Sequence, residues 1–152
     1  MATMANRQHG LKLCIVLLVG FLSACALPKR VDAPISPVVA SATLSGTEWV
    51  AFAIDGVPEV TLPKPRVRWT GADQITGTGG CNGFRGSALV GTGTLRLGPL
   101  ASTGRACLSM PGSQEDLFFK ALELTRNARL DGDQLSLIDE SGKVIARFLK
   151  TN

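Results

Sequence analysis

The stretch RLDGDQLSLIDESGKVIARF, residues 129–148, shows the pattern that decides the fold. In it, apolar and polar residues alternate in short runs, and the runs are separated by turn-forming residues at 131–133 and 141–142. Alternation with a period of two is typical of strands with one buried face, and Asp-Gly pairs favour tight turns. The stretch therefore predicts a hairpin followed by a further strand.

The same rhythm recurs towards the N-terminus. Trp49 begins an apolar run that ends at a turn formed by Asp55 and Gly56, and other runs end in Gly- or Asp-containing segments. The predicted strand segments here are residues 49–54, 66–69, 74–78, 88–90 and 95–97.

Residues 113–127 depart from this pattern and predict a helix. Ser113 is placed to cap the first turn, with Asp116 in the reciprocal position of a capping box and Lys120 spaced for an ion pair with Asp116. Five apolar residues fall on one predicted helix face: Leu117, Phe118, Ala121, Leu122 and Leu124. The predicted class is α+β: a mostly antiparallel β-sheet, curved or barrel-like, packed against one α-helix.

Residues 1–24 are typical of a signal peptide: a basic stretch, an apolar run at 13–22 and two small residues before Cys25. Leu22, Ser23, Ala24 and Cys25 resemble the lipobox of bacterial lipoproteins, which implies cleavage before Cys25 and acylation of its thiol and amine. The apolar run is about half the roughly 20 residues of a membrane-spanning helix. The alternative is a secreted protein cut after Ala24.

Two further regions follow the leader. Residues 25–43 comprise the lipidated Cys25 and a Pro-, Ala- and Ser-rich tether, and residues 44–150 form one folded domain. Ala26, where aspartate would signal inner-membrane retention, favours the periplasmic face of the outer membrane.

The composition argues against several classes of function. Arg7 and Lys12 are removed with the leader, whereas all 12 acidic residues lie after it. The mature chain then has 14 basic and 12 acidic residues, and a net charge of +2 does not indicate nucleic-acid binding. The single histidine, His9, also leaves, so histidine-dependent catalysis and the commonest transition-metal ligand are absent. We therefore expect no catalytic residues, no metal and no cofactor. An enzyme would need paired carboxylates, and the spacing of the candidates does not suggest a pair: Asp55, Glu59, Asp139 and Glu140.

Of the four cysteines, Cys14 is expected to be removed with the leader and Cys25 to be acylated, which leaves Cys81 and Cys107. An even pair in an oxidising compartment predicts a disulfide. Two buried free thiols, or a reactive thiol near Arg85 or Arg105, are the alternatives.

Three clusters resemble the META domain of the HslJ-like heat-shock lipoprotein family. They are LSGTEW at 44–49, GGCNGFRGS at 79–87 and GPLASTGRAC at 98–107, with Gly104 where a bulkier residue is common. The motif residues matched are Gly80, Cys81, Asn82, Phe84, Gly86, Thr103 and Cys107.

The glycine-rich centre has a structural interpretation. Gly77, Gly79, Gly80, Gly83 and Gly86 are expected to permit tight or positive-φ backbone, Asn82 to turn or cap the chain, and Phe84 to anchor the core. A phosphate cradle is disfavoured because the run lacks the Gly-Lys-Ser/Thr ending of a P-loop. Asn82 and Arg85 are the candidates for a surface contact.

The resemblance implies an envelope lipoprotein with a stress-response or outer-membrane role that acts by binding an unknown envelope protein, not by turnover. Two alternatives remain open: an inhibitor of lysozyme or another hydrolase, and an accessory of an outer-membrane assembly or secretion machine.

Overall fold

The structure, a computed structural model, describes residues 41–91, 93–104 and 112–151, with backbone only at 41 and 42. These residues belong to one compact unit. The predicted signal peptide, Cys25, most of the predicted tether and Cys107 lie outside the described residues. Neither helix in the described ranges is long and apolar enough to cross a bilayer.

Eight strands and two helices make up the described chain. In chain order they are α1 (Ser41–Leu44), β1 (Glu48–Ile54), β2 (Arg66–Trp69), β3 (Gln74–Thr78), β4 (Gly83–Gly91), β5 (Thr94–Ser102), α2 (Gln114–Leu124), β6 (Asn127–Asp131), β7 (Gln134–Ile138) and β8 (Val144–Thr151).

The strands form a single antiparallel sheet in the order β5-β4-β3-β2-β1-β8-β7-β6. The register shifts between Ala51 and Ala53, where β1 meets β8, and again in the β4–β5 and β7–β8 pairs. Such irregularities bend strands and increase their twist, so they favour curling of the sheet. Its two ends approach where Leu95 N donates to Arg126 O at 2.8 Å. The predicted α+β fold with a curved antiparallel sheet is confirmed.

The core lies between the sheet and α2. Trp49, Trp69 and Phe148 from the strands are fully buried together with Phe118 from the helix. The rings of Phe118 and Phe148 meet at 6.3 Å between centroids, within the range of favourable aromatic pairs. The ring of Phe84 on β4 also lies 5.9 Å from that of Phe118, so α2 packs against strands that are not neighbours in the sheet.

The opening LSGTEW segment has a structural role at this core. Leu44 is completely buried at the end of α1, and Gly46 has a φ of 76°, in the left-handed region that favours glycine. Trp49 Nε1 donates to Thr47 Oγ1 at 2.7 Å, so the buried indole keeps its hydrogen bond. The segment thus turns the chain into β1 and places Trp49 inward.

Helix α2 is shorter than predicted, and the predicted face is largely confirmed because Phe118, Ala121 and Leu122 are buried. It ends at Leu124 instead of Asn127, because Arg126 N already donates to Ile138 O and the chain enters β6. Leu124, predicted to face the core, is 43% exposed, whereas Glu115 is 7% exposed.

The predicted N-terminal cap of α2 is partly confirmed. Ser113 Oγ accepts from Asp116 N at 3.3 Å, as expected of an N-cap. The Asp116 carboxylate accepts from Gly112 N at 2.8 Å instead of from the N-cap residue. Among the described residues it forms no ion pair with Lys120.

Strand β4 is longer than predicted. Residues 88–90 predicted only the C-terminal part of this strand, which begins at Gly83, inside the glycine-rich motif. Because glycine has no side chain, the alternation of apolar and polar side chains that predicts a strand is missing from this motif.

Candidate functional site: a basic groove supported by a buried carboxylate

The buried carboxylate of Glu115 holds the loop between β3 and β4. Its Oε1 accepts from Asn82 N at 2.6 Å and from Cys81 N at 3.1 Å, and its Oε2 accepts from Asn82 Nδ2 at 2.9 Å. Charge-assisted bonds of this kind are stronger than neutral ones, and they compensate a carboxylate for loss of water. The first turn of α2 is therefore tied to the Cys-Asn pair of the motif.

Asn82 also links this loop to Thr103, the residue that follows β5. Thr103 Oγ1 donates to Asn82 Oδ1 at 3.1 Å and accepts from Gly83 N at 3.2 Å, while Thr103 N donates to Gly83 O at 2.9 Å. Asn82 is itself buried, with 6% of its surface exposed. The motif residues Asn82 and Thr103, far apart in sequence, thus form one hydrogen-bonded unit with Glu115.

The glycines of the motif serve mainly close approach, which corrects the expectation of positive φ. Of the five, only Gly80 has a φ in the left-handed region, at 127°. At Gly77 an added Cβ would lie 2.7 Å from the ring of Phe84, and at Gly79 it would lie 2.6 Å from Glu115 Cγ. The absence of a side chain at these positions leaves room for Phe84 and Glu115.

Gly79→Ala is therefore expected to lower the free energy of unfolding by about 1.5 to 3 kcal/mol, the usual range for overpacking a filled interior. The matched control is Gly83→Ala in the same motif, where the nearest atom to an added Cβ, Gly77 O, is 3.7 Å away. Urea unfolding of both variants provides the measurement. Equal stability of the two variants would show that the contact with Glu115 does not restrict position 79.

An open groove of about 640 Å³ runs over the outer face of the sheet next to this unit. We call it the basic groove and define it by the polar side chains Arg66, Arg68, Arg85, Thr76, Thr78 and Thr103, which line it together with Glu48. Gly83 and Phe84 also contribute to its wall. The unit held by Glu115 thus builds one end of the groove.

Strand register brings the groove's side chains together. Arg68 pairs with Thr76, Thr76 with Arg85, and Arg85 with Ala101, so these residues form one row across β2, β3, β4 and β5. Directly paired residues of antiparallel strands project from the same face. Inward neighbours such as Val67 and Trp69 are fully buried, which leaves the arginines on the outer face.

The groove carries more positive than negative charge. Arg66 NH1 lies 3.4 Å from Glu48 Oε1, and both side chains are partly exposed, so this pair is weak. Within the described ranges neither Arg68 nor Arg85 forms an ion pair. With three guanidinium groups against one carboxylate, the lining has an excess of two positive charges.

The four carboxylates considered for catalysis lie outside the basic groove. Asp55 Oδ2 accepts from Lys143 Nζ at 2.6 Å in an exposed ion pair. Asp139 Oδ1 accepts from Ser141 Oγ at 2.7 Å and from Lys143 N at 3.0 Å, and the Ser141 hydroxyl is the main cause of its lowered pKa. Glu59 and Glu140 are exposed. None of the four lines the basic groove.

The remaining predicted site residues have mixed outcomes. Asn82 and Thr103 are brought together, Phe84 is buried in the core, and Arg85 is exposed in the groove. Cys81 is half-buried next to Asn82, but Cys107 lies outside the described residues, so their disulfide stays a prediction. The lipidation of Cys25 likewise stays a prediction.

Sequence reasoning missed Glu115, Arg66 and Arg68 as site residues. Glu115 falls in the first turn of the helix, where acidic residues are common because they favour the helix dipole, so its position does not mark it as buried. The two arginines are the outward-facing half of the strand pattern at residues 66–69. Their alternation with Val67 and Trp69 gave their face, but not the neighbouring strand that supplies Arg85.

Comparisons with known proteins agree with this architecture. The model of the META domain family matches residues 42–152. An NMR structure of a protein from Burkholderia xenovorans is 24% identical with a TM-score of 0.55, covering 83% of this chain and 99% of that one. A second NMR structure is 23% identical, also with a TM-score of 0.55, covering 73% and 94%. At these identities the likeness shows the fold alone.

No curated protein matches the chain. The family match covers the entire sheet and both tryptophan-bearing strands, as well as the unit of Asn82, Thr103 and Glu115. The chain belongs to the META domain family.

Proposed function

We propose that this protein is a non-enzymatic binding protein of the bacterial envelope, anchored by lipid on Cys25 to the periplasmic face of the outer membrane. The basic groove is its binding surface. The observation that carries the proposal is the construction of this groove, because residues of the family motif form its wall and a buried carboxylate holds them in place.

The arrangement of the groove suits binding better than turnover. Its charged lining consists of three arginines and the ion-paired Glu48, and no histidine is among the lining residues. Such a lining offers hydrogen-bond donors in a planar, fixed geometry but lacks the side chain that most often transfers protons in enzymes. The rigid sheet beneath it favours a preformed surface.

The anchor is proposed from the sequence. The lipobox-like residues 22–25 supply the acylation site, and residues 26–43 supply a tether that lets the domain stand away from the membrane. More than one acyl chain is needed for durable attachment, at about 0.8 kcal/mol for each buried methylene.

The test has two parts, anchoring and contact. Intact-mass spectrometry of the chain purified from membranes is expected to show an acylated residue 25, and Cys25→Ser is expected to remove the acylation. Photo-crosslinking in cells from position 101, an exposed alanine of the groove that pairs with Arg85, is then expected to label a ligand, whereas crosslinking from position 129 on β6 is not. An unmodified residue 25, or equal labelling from the two positions, would contradict the proposal.

The crosslinking experiment also addresses hydrolase inhibition. If groove position 101 labels a cell-wall hydrolase, and the purified chain inhibits that enzyme, the protein acts as an inhibitor of the hydrolase.

A further inference from the structure

The chemistry of the basic groove indicates what it binds, if the proposed binding function holds. We infer that the groove recognises a phosphorylated saccharide, with its phosphate monoester seated between Arg68 and Arg85 and its sugar hydroxyls against the threonines of β3. The inference depends on three features of the groove: charge, spacing and the nature of the polar lining.

Charge complementarity favours a phosphate monoester over a carboxylate. The lining has an excess of two positive charges, and a phosphate monoester carries about −1.5 to −2 at neutral pH. A carboxylate carries one negative charge and would leave half of the excess uncompensated. Arginine also binds phosphate oxygens in a bidentate geometry.

The spacing places two arginines on either side of one position. Arg68 and Arg85 are both in register with Thr76, which lies on the strand between them. Neighbouring strands are about 4.8 Å apart, so the two arginine backbones are separated by about 9.6 Å across the sheet. Both side chains are exposed, and neither forms an ion pair within residues 41–91, 93–104 and 112–151.

The rest of the lining is suited to a sugar. Thr76 and Thr78 of β3 present hydroxyl groups along the groove, and a hydroxyl both donates and accepts hydrogen bonds. Thr78 Oγ1 accepts from Gly80 N at 3.1 Å and keeps its proton to donate. The groove volume of about 640 Å³ is within the usual range for small-ligand sites, roughly 300 to 1,000 Å³. It therefore has room for a saccharide beside the phosphate.

Glu48 modulates the charge of the groove. Its carboxylate pairs with Arg66 at one side and is the acidic group in the lining. Asp73 lies outside this lining, in an adjoining groove of about 480 Å³ that shares Thr76, Arg85 and Ala101. Removing the charge of Glu48 is therefore expected to strengthen binding of a phosphate, the opposite effect to removing an arginine.

The test is calorimetric titration of the chain purified in uncharged detergent with glucose 6-phosphate, glucose, glucuronate and inorganic phosphate. We expect glucose 6-phosphate to bind more tightly than the other three probes. Arg68→Gln and Arg85→Gln are each expected to weaken its binding at least about tenfold, as loss of a charged hydrogen bond predicts. Glu48→Gln is expected to strengthen it about threefold.

Two further variants sharpen the test. Arg129→Gln removes an exposed arginine from β6, away from the groove, and is expected to leave binding unchanged. Thr76→Val keeps a β-branched residue in β3, and it is expected to weaken the binding of glucose 6-phosphate more than the binding of inorganic phosphate. Thermal unfolding of every variant confirms that the fold is intact.

Several results would overturn the inference. They are binding of glucuronate as tight as that of glucose 6-phosphate, no gain from the sugar over inorganic phosphate, or equal loss in the Arg129 variant. Binding of phosphatidic acid vesicles without binding of glucose 6-phosphate would assign the groove to a lipid surface instead. If these titrations fail while crosslinking from position 101 succeeds, the ligand class is wrong and the binding function stands.

Discussion

Replacing Glu115 by alanine is expected to lower the free energy of unfolding by about 3 to 4 kcal/mol. The variant leaves the backbone N–H groups of Cys81 and Asn82 and the Asn82 amide without the acceptor they have in the native structure. A buried donor that loses its partner costs about 1 to 3 kcal/mol, and breaking a buried charged network costs about 3 to 5 kcal/mol. Urea unfolding followed by tryptophan fluorescence measures the change.

The control for this variant lies on the same helix. Glu123 is exposed near the end of α2, and Glu123→Gln is expected to change stability by less than about 0.5 kcal/mol. Because Glu115 and Asn82 belong to one network, the double variant with Asn82→Ala is expected to lose less than the sum of the single variants. Additive losses would show that the carboxylate and the amide act independently.

Removing the predicted disulfide between Cys81 and Cys107 is expected to lower the free energy of unfolding by a similar amount. Closing a loop of about 26 residues stabilises a fold by about 3 to 3.5 kcal/mol in the chain-entropy model. The Cys107→Ser variant is therefore expected to unfold at lower urea concentration by a corresponding amount. The oxidised parent should also lose this stability when a reducing agent is added.

Thiol chemistry provides the control for that prediction. The native, unreduced chain is expected to give no alkylation at either cysteine, and full alkylation of both after denaturation with reductant. The Cys107→Ser variant should then be insensitive to reducing agent. Reaction of both thiols in the unreduced, denatured parent would show that the bond is absent.

Local patterns predicted the fold well where side chains alternate. The strand positions around Val67, Ile75 and Leu135 follow from apolar residues at every second place, and each of these side chains is completely buried. The prediction failed at the start of β4, because a glycine-rich segment has no alternation of apolar and polar side chains. It also failed at the end of α2, where pairing of Arg126 with β7 takes precedence over helix propensity.

The candidate site was harder to predict because it depends on contacts between distant segments. The motif residues were identified as a group, but their acceptor, Glu115, lies 33 residues beyond Asn82 and resembles any acidic residue of a first turn. The basic groove depends on the pairing of β2, β3 and β4, which brings Arg68 and Arg85 to the same row. Strand register is a property of the complete sheet, so single-segment patterns do not contain it.

The position of β8 between β1 and β7 has a consequence for biogenesis. Glu48 is paired with Thr151, so β1, which already has β2 on one side, gains its second neighbour only when residues 144–151 have been delivered. Contacts of such long sequence separation slow folding, since a large loop must close before they form. Until residues 144–151 are delivered, no strand joins β7 and β6 to β1, so the hydrogen-bonded order of the sheet is broken at that point.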